Sequence, residues 1–70
     1  MENVFAERLR QSLHDNQMTQ SELAKRIGKS HDIISDYCKG KAKPTMDTII
    51  LICKELRESA DYMLGLDNME

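Results

Sequence analysis

Apolar residues return along this chain at intervals of three and four, and the polar residues between them include the caps and stops of short helices. Phe5, Leu9 and Leu13 fall at i, i+4 and i+8, which draws one apolar stripe along a helix predicted over residues 3–15, with Asn16 as a left-handed stop. "TQSE", residues 19–22, has the spacing of a capping box, in which the Thr19 hydroxyl accepts from the third helical N–H and Glu22 reaches back. The short helix that follows buries Leu23, Ala24 and Ile27 until Gly28 ends it. One residue later Ser30 caps a third helix, with Ile34, Tyr37 and Cys38 on its inner face and Gly40 at its close. Past the polar link "GKAKP", Thr45 caps the most apolar helix, carrying Met46, Ile49, Ile50, Ile52, Cys53 and Leu56; it is expected at the centre, packed on several sides. Ser59 caps a last helix through Tyr62, Met63 and Leu64, stopped by Gly65, and "LDNME" reads as a frayed tail.

The second and third helices are joined by too few residues to lie side by side, so they must cross steeply, as in a helix-turn-helix. On a 100° wheel Leu23, Ala24, Ile27, Ile34 and Tyr37 point inward. Asp32, Ser35, Asp36 and Lys39 point outward from the third helix, with His31 on the flank. No repeat or low-complexity segment interrupts the pattern. The expected fold is one all-α, five-helix domain over residues 1–66, with the motif at about 19–39 and a flexible tail at 67–70. At 70 residues such a chain buries only about 60% of its unfolded surface, so its core is small.

The formal net charge of −2 argues at first against nucleic acid, but the distribution reverses that. Residues 25–43 hold six cations (Lys25, Arg26, Lys29, Lys39, Lys41, Lys43) against two anions, which makes that window +4 and leaves −6 on the rest. A basic patch on an acidic domain is a local electrostatic footprint. Cys38 and Cys53 fall in apolar stripes and read as buried thiols of a reducing compartment. His14 and His31 join them at no metal-binding spacing. No metal, cofactor or small-molecule ligand is expected. No apolar run approaches the ~20 residues that span a bilayer, so the expectation is a cytoplasmic protein with no membrane partner. An enzyme is excluded on this reading, because Ser, Cys, His and carboxylates never converge as nucleophile and base.

The run "MTQSELAKRIGKSHDIISDYCKGKAKPTMDTI" and the ending "SADYMLGL" resemble the DNA-binding domain of phage repressor and Cro proteins, the lambda-repressor-like (Cro/C1, XRE-type) helix-turn-helix family. The resemblance extends from Phe5 to about Leu66 and rests on the T-Q-x-E-L-A opening, the glycine turn, the Ile34–Ser35 pair and the "KGKAKP" link. It implies that the third helix enters the major groove of double-stranded DNA, with His31, Asp32, Ser35 and Asp36 as the base-reading group. Gln20, Lys29, Lys39, Lys41 and Lys43 would then hold phosphates. Two features depart from the family. Lys29 stands where an apolar residue is usual, so its stem is expected to cover the core while its ammonium reaches out, and Asp32 and Asp36 occupy positions more often neutral or basic.

Each residue also has a plainer reading. Asp32 complements the positive end of its helix, an effect of about 0.3–1 kcal/mol. Asp36 is mid-helix and repels Asp32, so it has less structural excuse. His31 could be a first-turn surface residue and Ser35 a small spacer. Ile33 could touch a thymine methyl or cover the core edge. His14 reads as solvated surface, and Met46 and Met63 as core fillers. The reading adopted is a sequence-specific transcriptional regulator, a repressor that binds a pseudo-palindromic operator as a homodimer. Tyr62, Met63, Leu64 and Leu66 are available for pairing. The chain's end after the fifth helix implies no room for a sensing domain, unless it begins a longer protein. The alternative is an interaction module or antitoxin of the same fold with weak or no DNA binding, for which the two aspartates are the motive.

Overall fold

Side-chain caps set the register of every helix. The computed structural model describes residues 3–68 and consists of α1 (Val4–Asp15), α2 (Gln20–Ile27), α3 (His31–Lys39), α4 (Met46–Leu56) and α5 (Ala60–Leu64), followed by a 3-10 turn (Leu66–Asn68). Asn3, Thr19, Ser30, Thr45 and Ser59 each accept a hydrogen bond from the backbone N–H three residues on. A cap contributes about 1 kcal/mol, a large share of what holds helices too short to be stable alone.

The stops are less uniform. Gly28 and Gly65 end α2 and α5 in the left-handed region, at φ 72° and 79°. Glycine at position 65 is required twice over, since a Cβ there would come within 2.8 Å of Val4 Cγ1. Asn16 is not the left-handed stop expected of it, with φ −88°. That conformation falls to Gln17, at φ 53°. Asn16 instead spends its amide on two carbonyls, donating to Ser12 at 2.8 Å and to Leu56 at 3.4 Å, which joins the C-terminal ends of α1 and α4.

One apolar cluster draws on all five helices. Leu9, Leu23, Ile34, Ile52 and Met63 are fully buried in it, with Leu13, Ala24, Ile27, Tyr37, Cys38 and Leu56 around them. The helix α3 packs on α1 and α2, while α4 packs on α2 and α5. The expected central position of α4 is therefore overturned. It buries Thr48, Ile49, Ile52 and Leu56, but Met46, Ile50 and Leu51 are exposed by 65%, 46% and 41%. With α2 and α5 as its main neighbours, α4 keeps an uncovered apolar side, and Met46 is no core filler. Met63 is one.

Arginines staple the periphery. Arg8 lies 4.4 Å over the Tyr62 ring, donates to the Tyr62 carbonyl at 2.5 Å and pairs with Asp67 at 2.5 Å, so α5 and the turn after it are tied to α1. The expected tail thus begins with an ordered turn; residues 69–70 lie outside the described residues. Buried Ser12 donates to Glu58 at 3.0 Å. Cys38 is buried and Cys53 half-buried, both as free thiols, and burial pushes both pKa values up. No helix among the described residues is long and apolar enough to cross a membrane.

Arg57 closes α4 at φ 56°, a conformation that costs a residue with a Cβ about 1–2 kcal/mol. Part of the relief offered by glycine is offset by its own entropy, so Arg57→Gly is expected to raise stability by about 0.5–1 kcal/mol. The readout is a higher urea midpoint at unchanged slope.

Candidate nucleic-acid interface

The candidate interface lies on the two helices that meet at Gly28. At the start of α2 both halves of the capping box are present, with Glu22 N–H donating to Thr19 Oγ1 at 3.0 Å and Thr19 N–H donating to Glu22 Oε1 at 3.1 Å. Gln20 follows as the first residue of α2, half-buried. The chain then bends at Gly28 and Lys29, and Ser30 opens α3 by accepting from Ile33 N–H at 3.2 Å.

The rotation of α3 about its axis is set by Ile34, Tyr37 and Cys38, all buried. Phe5 of α1 meets the Tyr37 ring edge-on, at 6.5 Å between centroids and 79° between planes. With that side inward, His31 and Asp32 are exposed, Ser35 and Asp36 half-buried, and Lys39 exposed. The four residues expected to read bases therefore do share the outer side of one helix. Neither aspartate side chain makes a hydrogen bond or ion pair with another described residue. Ile33 is half-buried against the core edge.

The C-terminal end of α3 is fastened from two directions. Arg10 of α1 donates to the Cys38 carbonyl, which places a guanidinium at the negative end of the helix dipole. Gly40 N–H donates to the Tyr37 carbonyl at 3.2 Å and Lys41 N–H to the Asp36 carbonyl at 2.9 Å, a Schellman closure. The link that follows alternates. Lys41 and Lys43 are exposed, while Ala42 and Pro44 are half-buried, Ala42 against the core. Ala42, Lys43 and Pro44 also line a groove of about 480 Å³ with Asn3, Val4, Phe5, Ile49 and Leu64. The lysines thus project from a segment held down by its apolar neighbours.

Of the basic window, Arg26 is engaged with Glu55 of α4 at 3.6 Å. Lys25, Lys29, Lys39, Lys41 and Lys43 are exposed and form no ion pair with a described residue. Lys29 follows Gly28 in the turn between α2 and α3. It stands exposed in the bend, and its backbone N–H, donating to Ala24 at 2.9 Å, is what fixes it. Arg10 was not legible as part of this region, because its partner is a carbonyl, and a sequence does not show where carbonyls point.

A capped helix pair crossing at a glycine turn, with the second helix turned polar side out, defines a helix-turn-helix domain. A helix-turn-helix family model matches residues 7–63, and the chain belongs to that family, of the Cro/C1 type. An uncharacterized HTH-type transcriptional regulator of Bacillus subtilis (strain 168), YobD, is 30% identical over 63 residues, covering 90% of this chain and 56% of that protein. The chain spans about half the length of this curated relative. No solved structure matches it.

Because Ser30 supplies the cap that shapes the first turn of α3, Ser30→Ala is expected to cost about 1 kcal/mol. A thermal melt would show it, and amide exchange would show fraying concentrated at His31 and Asp32.

Proposed function

We propose that this domain is the sequence-specific, double-stranded DNA reader of a non-enzymatic transcriptional regulator, and that it represses by occupying a promoter. The observation that carries the reading is the fastened α3, which turns His31, Asp32, Ser35 and Asp36 outward, ends in Lys39 and is followed at once by Lys41 and Lys43. In this reading α3 lies in the major groove with those four residues at base edges. Gln20 and the start of α2 meet one stretch of backbone, Lys29 and the three later lysines another, so phosphates position the helix and the polar side discriminates.

One such domain has too little contact area for tight specific binding, so the reading includes a symmetric dimer on a pseudo-palindrome, its recognition helices about 34 Å apart. Of the residues expected at the pairing surface, Met63 is buried in the core and Tyr62 is held under Arg8. Leu64 and Leu66, exposed by 38% and 47%, are the ones left to pair. An interaction module without DNA binding is the other reading, favoured by the carboxylates of Asp32 and Asp36, which have no partner among the described residues.

Selection of bound duplexes from a randomised pool, at about 0.15 M salt where non-specific binding weakens, decides between them. One pseudo-palindromic site is expected; a pool with nothing enriched would leave the interaction module. On that site, Lys41→Ala and Lys43→Ala should weaken binding to specific and unrelated duplexes alike, each lowering the slope of log K against log salt by about 1. For the dimer, Leu64→Glu should shift sedimentation of the free protein from two chains to one. A wild-type protein that sediments with one chain per site, free and on DNA, would remove the dimer from the reading.

A further inference from the structure

Among the described residues, Asp36 is a mid-helix carboxylate that the fold does not use. It lies mid-helix, half-buried, with no cap or helix-start role, whereas Asp32 sits in the first turn of α3 and complements its dipole. Asp32, four residues earlier, repels it. Lys39, three residues on, does not close an ion pair with it, and among the described residues no donor reaches its carboxylate. Its backbone carbonyl is engaged by Lys41 N–H, but its side chain does nothing for the fold.

In a groove walled by phosphates such a group is unfavourable unless something donates to it. Within the major groove the donors are the exocyclic amino groups of cytosine and adenine. Adenine presents its N7 acceptor beside its amino group, which repels a carboxylate, while guanine and thymine present acceptors. Cytosine alone offers a donor without a neighbouring acceptor of its own. Resting on the DNA-reading role proposed above, we infer that Asp36 is the specificity-determining residue of α3 and that it selects a cytosine in each half-site through the base's exocyclic amino group.

The test is the same pool selection run in parallel on wild-type protein, Asp36→Asn and Asp36→Ala. Asp36 has no side-chain bond to lose, so both variants should melt at or above the wild-type temperature, and the nearly isosteric asparagine guards against misfolding. The wild-type site is expected to hold one cytosine per half-site whose replacement by thymine weakens binding about ten-fold or more. Asparagine should move that preference to adenine, since a carboxamide pairs with both N6 and N7. Alanine should tolerate all four bases there within about three-fold and leave the other positions unchanged. If both variants return the same cytosine with undiminished discrimination, Asp36 does not read it, and the DNA-reading role stands without this inference. A wild-type site lacking any cytosine that responds to Asp36 also overturns it. If the wild-type protein enriches no sequence, the role and the inference fall together.

Discussion

The outer side of α3 depends on what its inner side buries. Ile34, Tyr37 and Cys38 lock into a cluster shared with α1 and α2, and this fixes the helix's rotation as well as its position. Turning α3 by one residue, about 100°, would begin to exchange Tyr37 or Ile34 for Asp36 or Ser35. Burying an unpaired carboxylate costs several kcal/mol on any scale, and exposing a large apolar side chain adds about 1.5–3 kcal/mol. The rotation is therefore decided by more than thermal energy can disturb, although α3 has only nine residues. The two end fastenings, Ser30 at its start and Arg10 at its close, then need only prevent fraying.

Charge is divided by residue type as well as by location. Three of the arginines hold the fold together, with Arg8 on Tyr62 and Asp67, Arg10 on the Cys38 carbonyl and Arg26 beside Glu55. A planar guanidinium with five donors can serve several acceptors at once, which suits it to stapling helices. The lysines at 29, 39, 41 and 43 are left to solvent. The local excess of positive charge is thus carried by flexible point charges that the fold does not consume, and a net charge of −2 over the whole chain says little about that surface.

Much of the helix pattern was legible because short-range chemistry decides it. Thr19 with Glu22, Ser30, Thr45 and Ser59 lie within three residues of the groups they cap, and Gly28, Gly40 and Gly65 carry their conformational freedom with them. The inward set on α2 and α3 followed from periodicity alone. What failed was what depends on distant partners. The hydrophobicity of α4 said that it could be covered on all sides, but the helices beside it are mainly α2 and α5, and α1 and α3 pack on each other instead. Asn16 had the character of a helix stop, yet its side chain serves Ser12 of its own helix and, at longer range, Leu56, forty residues away. Gln17 and Arg57 adopt left-handed backbone without the residue type that announces it. For the candidate site, the sequence placed the four outward residues of α3 together but could not show that their side chains are free of internal partners. That freedom is a property of everything around them.

Among the side chains of the outward residues, the fold recruits none: His31, Asp32, Ser35 and Asp36 make no side-chain hydrogen bond with another described residue. Their neighbours have no such liberty. Gly40, where a Cβ would stand 3.2 Å from Asn3 Nδ2, is pressed against the cap of α1, and Tyr37 against Phe5. Mutation therefore meets two different regimes within one short helix. Substitutions at the outward positions break no side-chain hydrogen bond of the fold, and only Asp32 adds a modest complement to the start of α3, so selection for foldability alone would constrain these positions weakly while holding their neighbours fixed.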